Sequence, residues 1–115
     1  MTVTIERPDA QIARLVPSAE LDGESLQGAL VRAIAGAAEE GATGFIVDMH
    51  SFAILDSSGL GALVAAHSEV AGHPGPRLVL TGISPTLRQA LSRAMLLQVL
   101  PVYDTVERAI AALRR

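Results

Sequence analysis

The segment with the greatest potential for chemistry is Asp56-Ser57-Ser58-Gly59-Leu60-Gly61, which brings together a carboxylate, two hydroxyls and two glycines. An apolar stretch precedes it and an amphipathic repeat follows it, so a buried strand ends and a helix begins around this point. The first N–H groups of a helix have no partner within the helix, and either Asp56 or Ser57 can cap them. If Ser57 is the cap, the backbone engages its oxygen, and the free hydroxyl is that of Ser58.

Two interpretations of this segment differ in what the serines do. In the structural one, a side chain caps the helix and the glycines allow close packing. In the functional one, the Ser58 hydroxyl accepts a phosphoryl group. A phosphoserine carries about −1.5 to −2 charge, which the positive end of the helix macrodipole stabilises locally. Phosphorylation would then leave the domain folded, and Ser58 is our candidate modification site.

Other chemistries lack necessary residues. The glycine pair 59–61 is followed by Val64, where the dinucleotide fingerprint requires a third glycine or alanine. A Walker phosphate loop needs a lysine, and the chain has none. The Gly-x-Ser-x-Gly elbow of hydrolases is not matched, and Asp48 and His50 would join Ser58 in a triad only if the strand continued through His50. We therefore expect no catalytic residue and no enzyme activity, and the one enzymatic alternative is acyl transfer by Ser57 or Ser58.

Metal and nucleic-acid binding are also disfavoured. The chain has no cysteine, and His67 and His73 are separated by a predicted helix end while His50 lies elsewhere, so no metal site and no cofactor are expected. The net charge is −3, the arginines are scattered, and few aromatic residues are present. Nucleic acid would require a basic stripe with stacking aromatics.

Length and hydropathy predict a single soluble domain. A chain of 115 residues can bury about two thirds of its surface as one compact unit. No apolar run approaches the roughly 20 residues that cross a bilayer, and the start of the chain does not resemble a signal peptide. We expect one domain over residues 1–115, in the cytoplasm and not attached to a membrane.

The rest of the sequence predicts the elements that position the serines. Strands are predicted at residues 2–6, 11–16, 45–47, 78–80 and 99–102. Helices are predicted from the N-cap Asp22 to Gly41, from Ser57 or Ser58 to Ala71, from the N-cap Ser84 followed by Pro85, and from a capping box that begins at Asp104. A turn between the first two strands is expected at Pro8-Asp9. Residues 72–76, which are rich in glycine and proline, are expected to end the second helix.

The predicted order is β-β-α-β-α-β-α-β-α. Residues 45–47 and 78–80 are apolar on both faces, which is typical of strands buried between layers of helices in a parallel sheet. We therefore predict an α/β fold with a mixed, mostly parallel sheet whose first strand is an edge.

These motifs resemble those of STAS domains, and in particular of bacterial anti-sigma factor antagonists, also called anti-anti-sigma factors. The resemblance rests on Asp48-Met49 and the loop through Leu55, on residues 56–61, and on Ala19-Glu20-Leu21-Asp22, which is similar to the Gly-Glu-Leu-Asp of that family. Ile83-Ser84-Pro85 and residues 101–104 occur in the family's order and spacing. The likeness covers essentially the whole chain.

The resemblance implies a STAS fold and a regulatory function in transcription, as in bacterial stress responses. Such a protein, when unphosphorylated, binds an anti-sigma factor that has serine kinase activity and so releases a sigma factor. The kinase phosphorylates the second serine of the motif, here Ser58, and a phosphatase reverses the modification. The resemblance places the partner-binding residues at Asp22, Asp56, Ser57, Ser58, Gly59 and Leu60.

The sequence departs from the family pattern at two positions. Ala19 replaces the usual glycine, and Met95 stands where the family has a glycine after its third helix, which argues against a left-handed cap there.

The alternative functions are a scaffold in a stress-sensing complex and a soluble STAS subunit of a lipid-transport system. A weak homodimer also stays open. Among Phe52, Ile54 and Leu55, we expect at least two to pack in the core.

Overall fold

The computed structural model describes residues 3–21, 23–72 and 77–114, which form a mixed α/β structure. The strands are β1 (Val3–Asp9), β2 (Ile12–Pro17), β3 (Gly44–Asp48) and β4 (Arg77–Thr81). The helices are α1 (Gly23–Glu39), α2 (Ser57–Ala71), α3 (Pro85–Arg93) and α4 (Val106–Leu113), and a 3-10 turn, Leu96–Gln98, lies between α3 and α4. The strands lie in the order β1-β2-β3-β4, with β1 antiparallel to β2 and the other pairs parallel. The predicted fold class is confirmed.

Strand β3 is buried on both faces, as its apolar sequence predicts. Phe45 and Val47 lie in the larger core, which α1, α2 and α3 cover. Ile46 points to the opposite face and packs with Ala109 of α4 in a second, smaller core. Side chains alternate between the faces of a strand, so β3 contributes to both cores. The sheet is thus a middle layer with three helices on one side and one on the other.

The first two strands form a hairpin whose turn lies later than predicted. Strand β1 stays paired through Asp9, which is opposite Ile12, after an irregularity that follows Glu6. The Asp9 carboxylate accepts a hydrogen bond from the N–H of Gln11 at 2.8 Å. The turn therefore lies at residues 10–11, where this carboxylate stabilises it.

The predicted fifth strand is reduced to one bridge within the described residues. Leu80 and Val102 form a parallel bridge, in which the N–H of Leu80 donates to the carbonyl of Pro101 at 2.8 Å and the N–H of Tyr103 donates to the carbonyl of Leu80 at 2.9 Å. Pro101 has no N–H to extend the ladder. Shortly before it, Leu96–Gln98 form the 3-10 turn and therefore do not belong to a strand.

The helix caps agree with the sequence at α3 and differ at α4. Ser84 caps α3, because its Oγ accepts from the N–H of Leu87 at 3.0 Å. At α4 the cap is Thr105, one residue after the predicted Asp104, since the threonine Oγ1 accepts from the N–H of Arg108 at 3.1 Å. Asp104 remains outside the helix, exposed. The predicted N-cap of α1, Asp22, and residues 73–76 of the segment predicted to end the second helix lie outside the described residues.

Met95 adopts the left-handed conformation that its side chain disfavours. Its φ is 61° and its ψ is 21°, and its N–H donates to the carbonyl of Ser92 at 3.0 Å, which closes the end of α3. The expectation that a non-glycine residue would prevent such a cap was therefore wrong. The turn is imposed by the buried leucines on either side, Leu91 and Leu100, which anchor α3 and the chain beyond it.

A buried ion pair joins β2 to the end of β3. The Arg14 guanidinium donates to Asp48 at 2.5 Å and to Glu6 at 2.6 Å. The backbone N–H of His50 and its Nδ1 lie 3.1 and 2.9 Å from the other Asp48 oxygen. Burial raises the pKa of Asp48, but hydrogen bonds from Arg14 and His50 outweigh it and hold the pKa below its ordinary value of 3.8. Asp48 is therefore ionised at neutral pH.

The described helices are too short or too polar to cross a lipid bilayer.

Replacing Met95 with glycine should stabilise the protein. A left-handed conformation costs a non-glycine residue about 1–2 kcal/mol, and the Met95 side chain is 63% exposed, so little packing is lost. We expect Met95→Gly to raise the free energy of unfolding by about 0.5–1 kcal/mol in urea titration. Ala94→Gly is the matched control at a right-handed position and should lower it. A loss of stability in both variants would contradict the strain at Met95.

Asp48→Asn should destabilise the protein in a pH-dependent way. The variant leaves Arg14 without its buried partner, and we expect a loss of about 2–3 kcal/mol at pH 7. Because the folded-state pKa is depressed, the carboxylate's contribution is complete above 3.8 and is lost as the pH falls through the folded value. Urea titrations from pH 7 to 2.5 should therefore show the two proteins converging in acid. Asp104→Asn, in an exposed pair, should change stability by less than about 0.5 kcal/mol.

Candidate functional site

The site is the first turn of α2, and the cap of this helix is Asp56. The Asp56 carboxylate accepts a hydrogen bond from the N–H of Gly59 at 2.8 Å, and its carbonyl accepts from Leu60 at 3.0 Å. Of the two predicted caps, the structure therefore contains the aspartate. Ser57 and Ser58 become the first two residues of the helix, and the cap occupies neither hydroxyl.

Both serine side chains reach solvent. Ser57 and Ser58 are exposed, whereas Gly59 is buried and Leu60 half-buried. Across the described residues, neither serine hydroxyl makes a hydrogen bond to another part of the chain. The predicted group of residues 56–60 thus divides into a polar outer edge and an apolar inner edge. Both serine hydroxyls lie on the polar outer edge and face solvent.

The β3–α2 loop packs against the helix at Gly59. A Cβ atom at this position would lie 2.8 Å from Cδ2 and 3.0 Å from Cβ of Leu55. The absence of a side chain lets Leu55 lie on the first turn of α2. This contact connects the position of the loop to that of the serines.

Helix α1 begins directly against Ser58. A Cβ on Gly23, the first residue of α1, would lie 2.1 Å from Cβ and 2.8 Å from the backbone carbon of Ser58. Only glycine permits so close an approach, so the first turns of α1 and α2 meet at this serine. The sequence shows Gly23 only as a glycine at a helix start, which gives no indication of its neighbour. Asp22, which the resemblance places among the partner-binding residues, is outside the described residues.

Two carboxylates, those of Glu24 and Asp56, lie in the hollow that contains Ser58. Gly23, Glu24, Ser25 and Asp56 line this shallow hollow with Ser58. Two helix N-termini also point to this hollow and contribute partial positive charge. The backbone would stabilise an added phosphate, while Glu24 and Asp56 would make the outer surface strongly negative.

The loop before the serines combines core and surface residues. Phe52 is buried and Leu55 packs against the core, as predicted for two of the three apolar residues. Ile54 is 62% exposed and lines a second hollow, between this loop and the start of α1. Asp56 and Gly59 line the same hollow, which places the exposed Ile54 side chain near the start of α2.

The other polar residues considered for chemistry lie apart from the serines. Asp48 and His50 bond to each other, and His50 is beyond the end of β3. The described residues contain no group of three or more His, Cys, Asp or Glu side chains that could hold a metal ion. His67 is half-buried on α2.

Solved structures share this fold at low sequence identity. A putative anti-sigma factor antagonist from Thermotoga maritima superposes with a TM-score of 0.82 at 20% identity, covering 98% of this chain and 95% of that one. An anti-sigma factor antagonist from Mycobacterium paratuberculosis gives 0.80 at 23% identity, covering 99% and 94%.

A third similar structure is known with and without phosphate. Unphosphorylated SpoIIAA, an anti-sigma factor antagonist, gives a TM-score of 0.76 at 24% identity, covering 98% of this chain and 96% of that one. The phosphorylated form of SpoIIAA, a Bacillus cell fate determinant, gives 0.71 at 22% identity, covering 98% and 100%. At these identities the structures establish the fold alone.

The sequence comparison is more specific. No functionally curated protein matches the sequence. The STAS domain family matches residues 6–109, which include all the strands after the start of β1, the serine motif and the first half of α4. The chain therefore belongs to the STAS domain family.

Proposed function

We propose that this protein is an anti-sigma factor antagonist that is switched by phosphorylation of Ser58. In its unmodified form it binds an anti-sigma factor with serine kinase activity, and a sigma factor is released. The observation that carries the proposal is the exposed, unoccupied hydroxyl of Ser58 at the first turn of α2 in a STAS domain. The chain itself is a binding protein and a kinase substrate, with no catalytic role.

The chemistry of the switch is a simple phosphoryl transfer. The partner kinase would move the γ-phosphoryl group of ATP to Oγ of Ser58, releasing ADP, and the hydroxyl proton would pass to a base of the kinase. A phosphatase would hydrolyse the ester and restore the serine. The existence of SpoIIAA in phosphorylated and unphosphorylated forms supports such a cycle in a protein of this fold.

Ser58 is a better candidate than Ser57 because of its neighbours. Ser58 lies against Gly23 where α1 and α2 meet, so a partner that contacts both helices would cover it. Charge added at this junction enters the centre of such an interface, beside Asp56 and Glu24. We propose that the partner-binding surface comprises these helix starts, with Asp22, Asp56, Ser57, Ser58 and Leu60, and that the buried Gly59 supports it through its contact with Leu55.

The required change in affinity is large but attainable. Converting a complex from almost fully bound to almost fully free takes about 5.5 kcal/mol of differential affinity. A phosphate of about −2 charge loses water at the interface and meets like charges, and each effect opposes binding. Helix N-termini stabilise the phosphate in the free protein, which favours dissociation further.

Phosphorylation is predicted to occur at Ser58 and to weaken partner binding. The tagged chain would first be used to purify its partner, and the kinase identified by mass spectrometry would then be incubated with the chain and ATP. We expect one phosphate by intact mass in wild type and Ser57→Ala, and none in Ser58→Ala, which should still bind. Ser58→Glu should weaken binding about tenfold or more, since even one added charge opposes the interface.

Other outcomes would contradict the proposal. Phosphate on Ser57 or Ser84 would make the site assignment wrong. A purified transporter subunit or stress-sensing scaffold, without a kinase, would favour the alternative functions. Labelling of either serine by a fluorophosphonate probe would indicate an acyl-transfer enzyme.

Ile54 is predicted to contribute an apolar contact to the partner. Its exposed side chain can be removed without loss of core packing, and truncation of a central apolar contact commonly costs a complex more than 1 kcal/mol. We expect Ile54→Ala to weaken partner binding about tenfold in calorimetry. Ile5→Ala, on the edge strand β1 and 47% exposed, is the matched control and should bind as wild type does. Equal effects in both variants would rule out a specific role for Ile54.

A further inference from the structure

The β3–α2 loop, residues 49–56, is held at its start and end by the core and the helix. The N–H of Phe52 donates to the carbonyl of Met49 at 2.9 Å, and both of these side chains are buried. At the other end, Leu55 packs on Gly59 and Asp56 caps α2. Between these anchors, Ala53 and Ile54 are exposed, so their backbone needs another contact to stay in place.

Ser84 provides that contact from the start of α3. Its Oγ donates a hydrogen bond to the carbonyl of Ala53 at 2.5 Å and also accepts from the N–H of Leu87 at 3.0 Å. A hydroxyl has one donor and two acceptor positions, so both bonds form together. The sequence predicts the capping bond but not the bond to Ala53, which joins residues 31 positions apart.

The bond to Ala53 acts on the serines through the loop. Ala53 lies three residues before Asp56, and the Leu55 contact with Gly59 transmits the position of the loop to the first turn of α2. If the Ala53 carbonyl turned to solvent, Leu55 and the Asp56 cap would be held only by their contacts with Gly59. The orientation of Ser58 would then be less defined.

We infer that Ser84 is a positioning residue for the phosphoacceptor, and that its hydroxyl proton holds the β3–α2 loop in the conformation that a kinase partner recognises. This inference rests on the proposed function, because it concerns recognition of Ser58. A second part of it, that Ser84 orders the loop, stands without any partner. Ser84 does not touch the reacting hydroxyl and acts through Ala53 and Leu55.

Three substitutions at one position separate the two bonds. Ser84→Thr keeps the donor and the cap. Ser84→Asp keeps a capping oxygen but has no proton to donate at neutral pH, so it removes the Ala53 bond alone. Ser84→Ala removes both. In Ser84→Asp the carboxylate's charge at the helix N-terminus offsets the lost Ala53 bond, so this variant should melt close to wild type, whereas Ser84→Ala, which loses both bonds, should melt lower.

Hydrogen exchange of the free protein tests the ordering of the loop. We expect the hydrogen-bonded amides at the two ends of the loop, those of Phe52, Gly59 and Leu60, to exchange about threefold to tenfold faster in Ser84→Asp and Ser84→Ala than in wild type, the range that one lost hydrogen bond allows. Ser84→Thr should restore the wild-type rates. Equal rates in Ser84→Asp and Ser84→Thr would overturn the inference.

Phosphorylation kinetics with the partner kinase test the positioning of Ser58. The KM for Ser84→Asp should rise about threefold to tenfold with kcat little changed, because a smaller fraction of the free chain has the recognised loop conformation. Ser84→Thr should match wild type. Kinetic defects that follow the melting temperature, with Ser84→Asp behaving as wild type, would overturn the inference and assign Ser84 only to the stability of α3.

The two proposals fail in different ways. If wild type is not phosphorylated by its partner, the proposed function is wrong, and recognition through Ser84 is overturned with it, while loop exchange still decides whether Ser84 orders the loop. If wild type is phosphorylated on Ser58 but the three variants share its KM and its loop exchange rates, the proposed function stands and the role of Ser84 is overturned.

Discussion

The burial of β3 on both faces is the constraint on which the arrangement depends. Phe45 and Val47 require helices on one side of the sheet, and Ile46 requires a helix on the other. A strand so placed pairs with parallel neighbours, and the chain must cross back over a face after each strand. The loop after β3 therefore leaves the sheet at the carboxyl end of that strand and leads directly into α2. The serines lie where this loop meets the helix.

Close packing at this end of the sheet keeps the serines accessible. Gly23 lets α1 approach the backbone of Ser58, and Gly59 lets Leu55 lie under the first turn of α2. The apolar atoms are turned inward, and the hydroxyls are left outside with carboxylates around them. The proposed phosphorylation of Ser58 would place its charge at two helix N-termini, which favour negative charge. Such a surface suits a protein whose binding changes while its fold does not.

Local signals in the sequence predict most of the elements because they act over a few residues. The spacing of Leu60, Leu63, Val64 and Val70 predicts α2 with the bounds that the structure has, and Ser84-Pro85 marks the start of α3 correctly. The errors arise where two local signals compete. At α4, Thr105 takes the cap in place of Asp104. At the predicted fifth strand, Pro101 and the preceding turn leave one bridge in the described part of the chain. At Met95, buried leucines on both sides impose a conformation that the residue itself opposes.

The candidate site likewise has some features that the sequence predicts and others that only the tertiary structure shows. Residue types and spacing identify the Asp-Ser-Ser-Gly segment, its place at a helix start and its resemblance to the STAS family, because capping and amphipathic repeats are encoded in consecutive residues. Only the tertiary structure decides that Asp56 is the cap, that Gly23 lies against Ser58 and that Ser84 bonds to Ala53. These contacts join residues that are up to 35 positions apart, and they depend on how helices pack on a sheet. Such packing has no counterpart in the periodicity of a single segment.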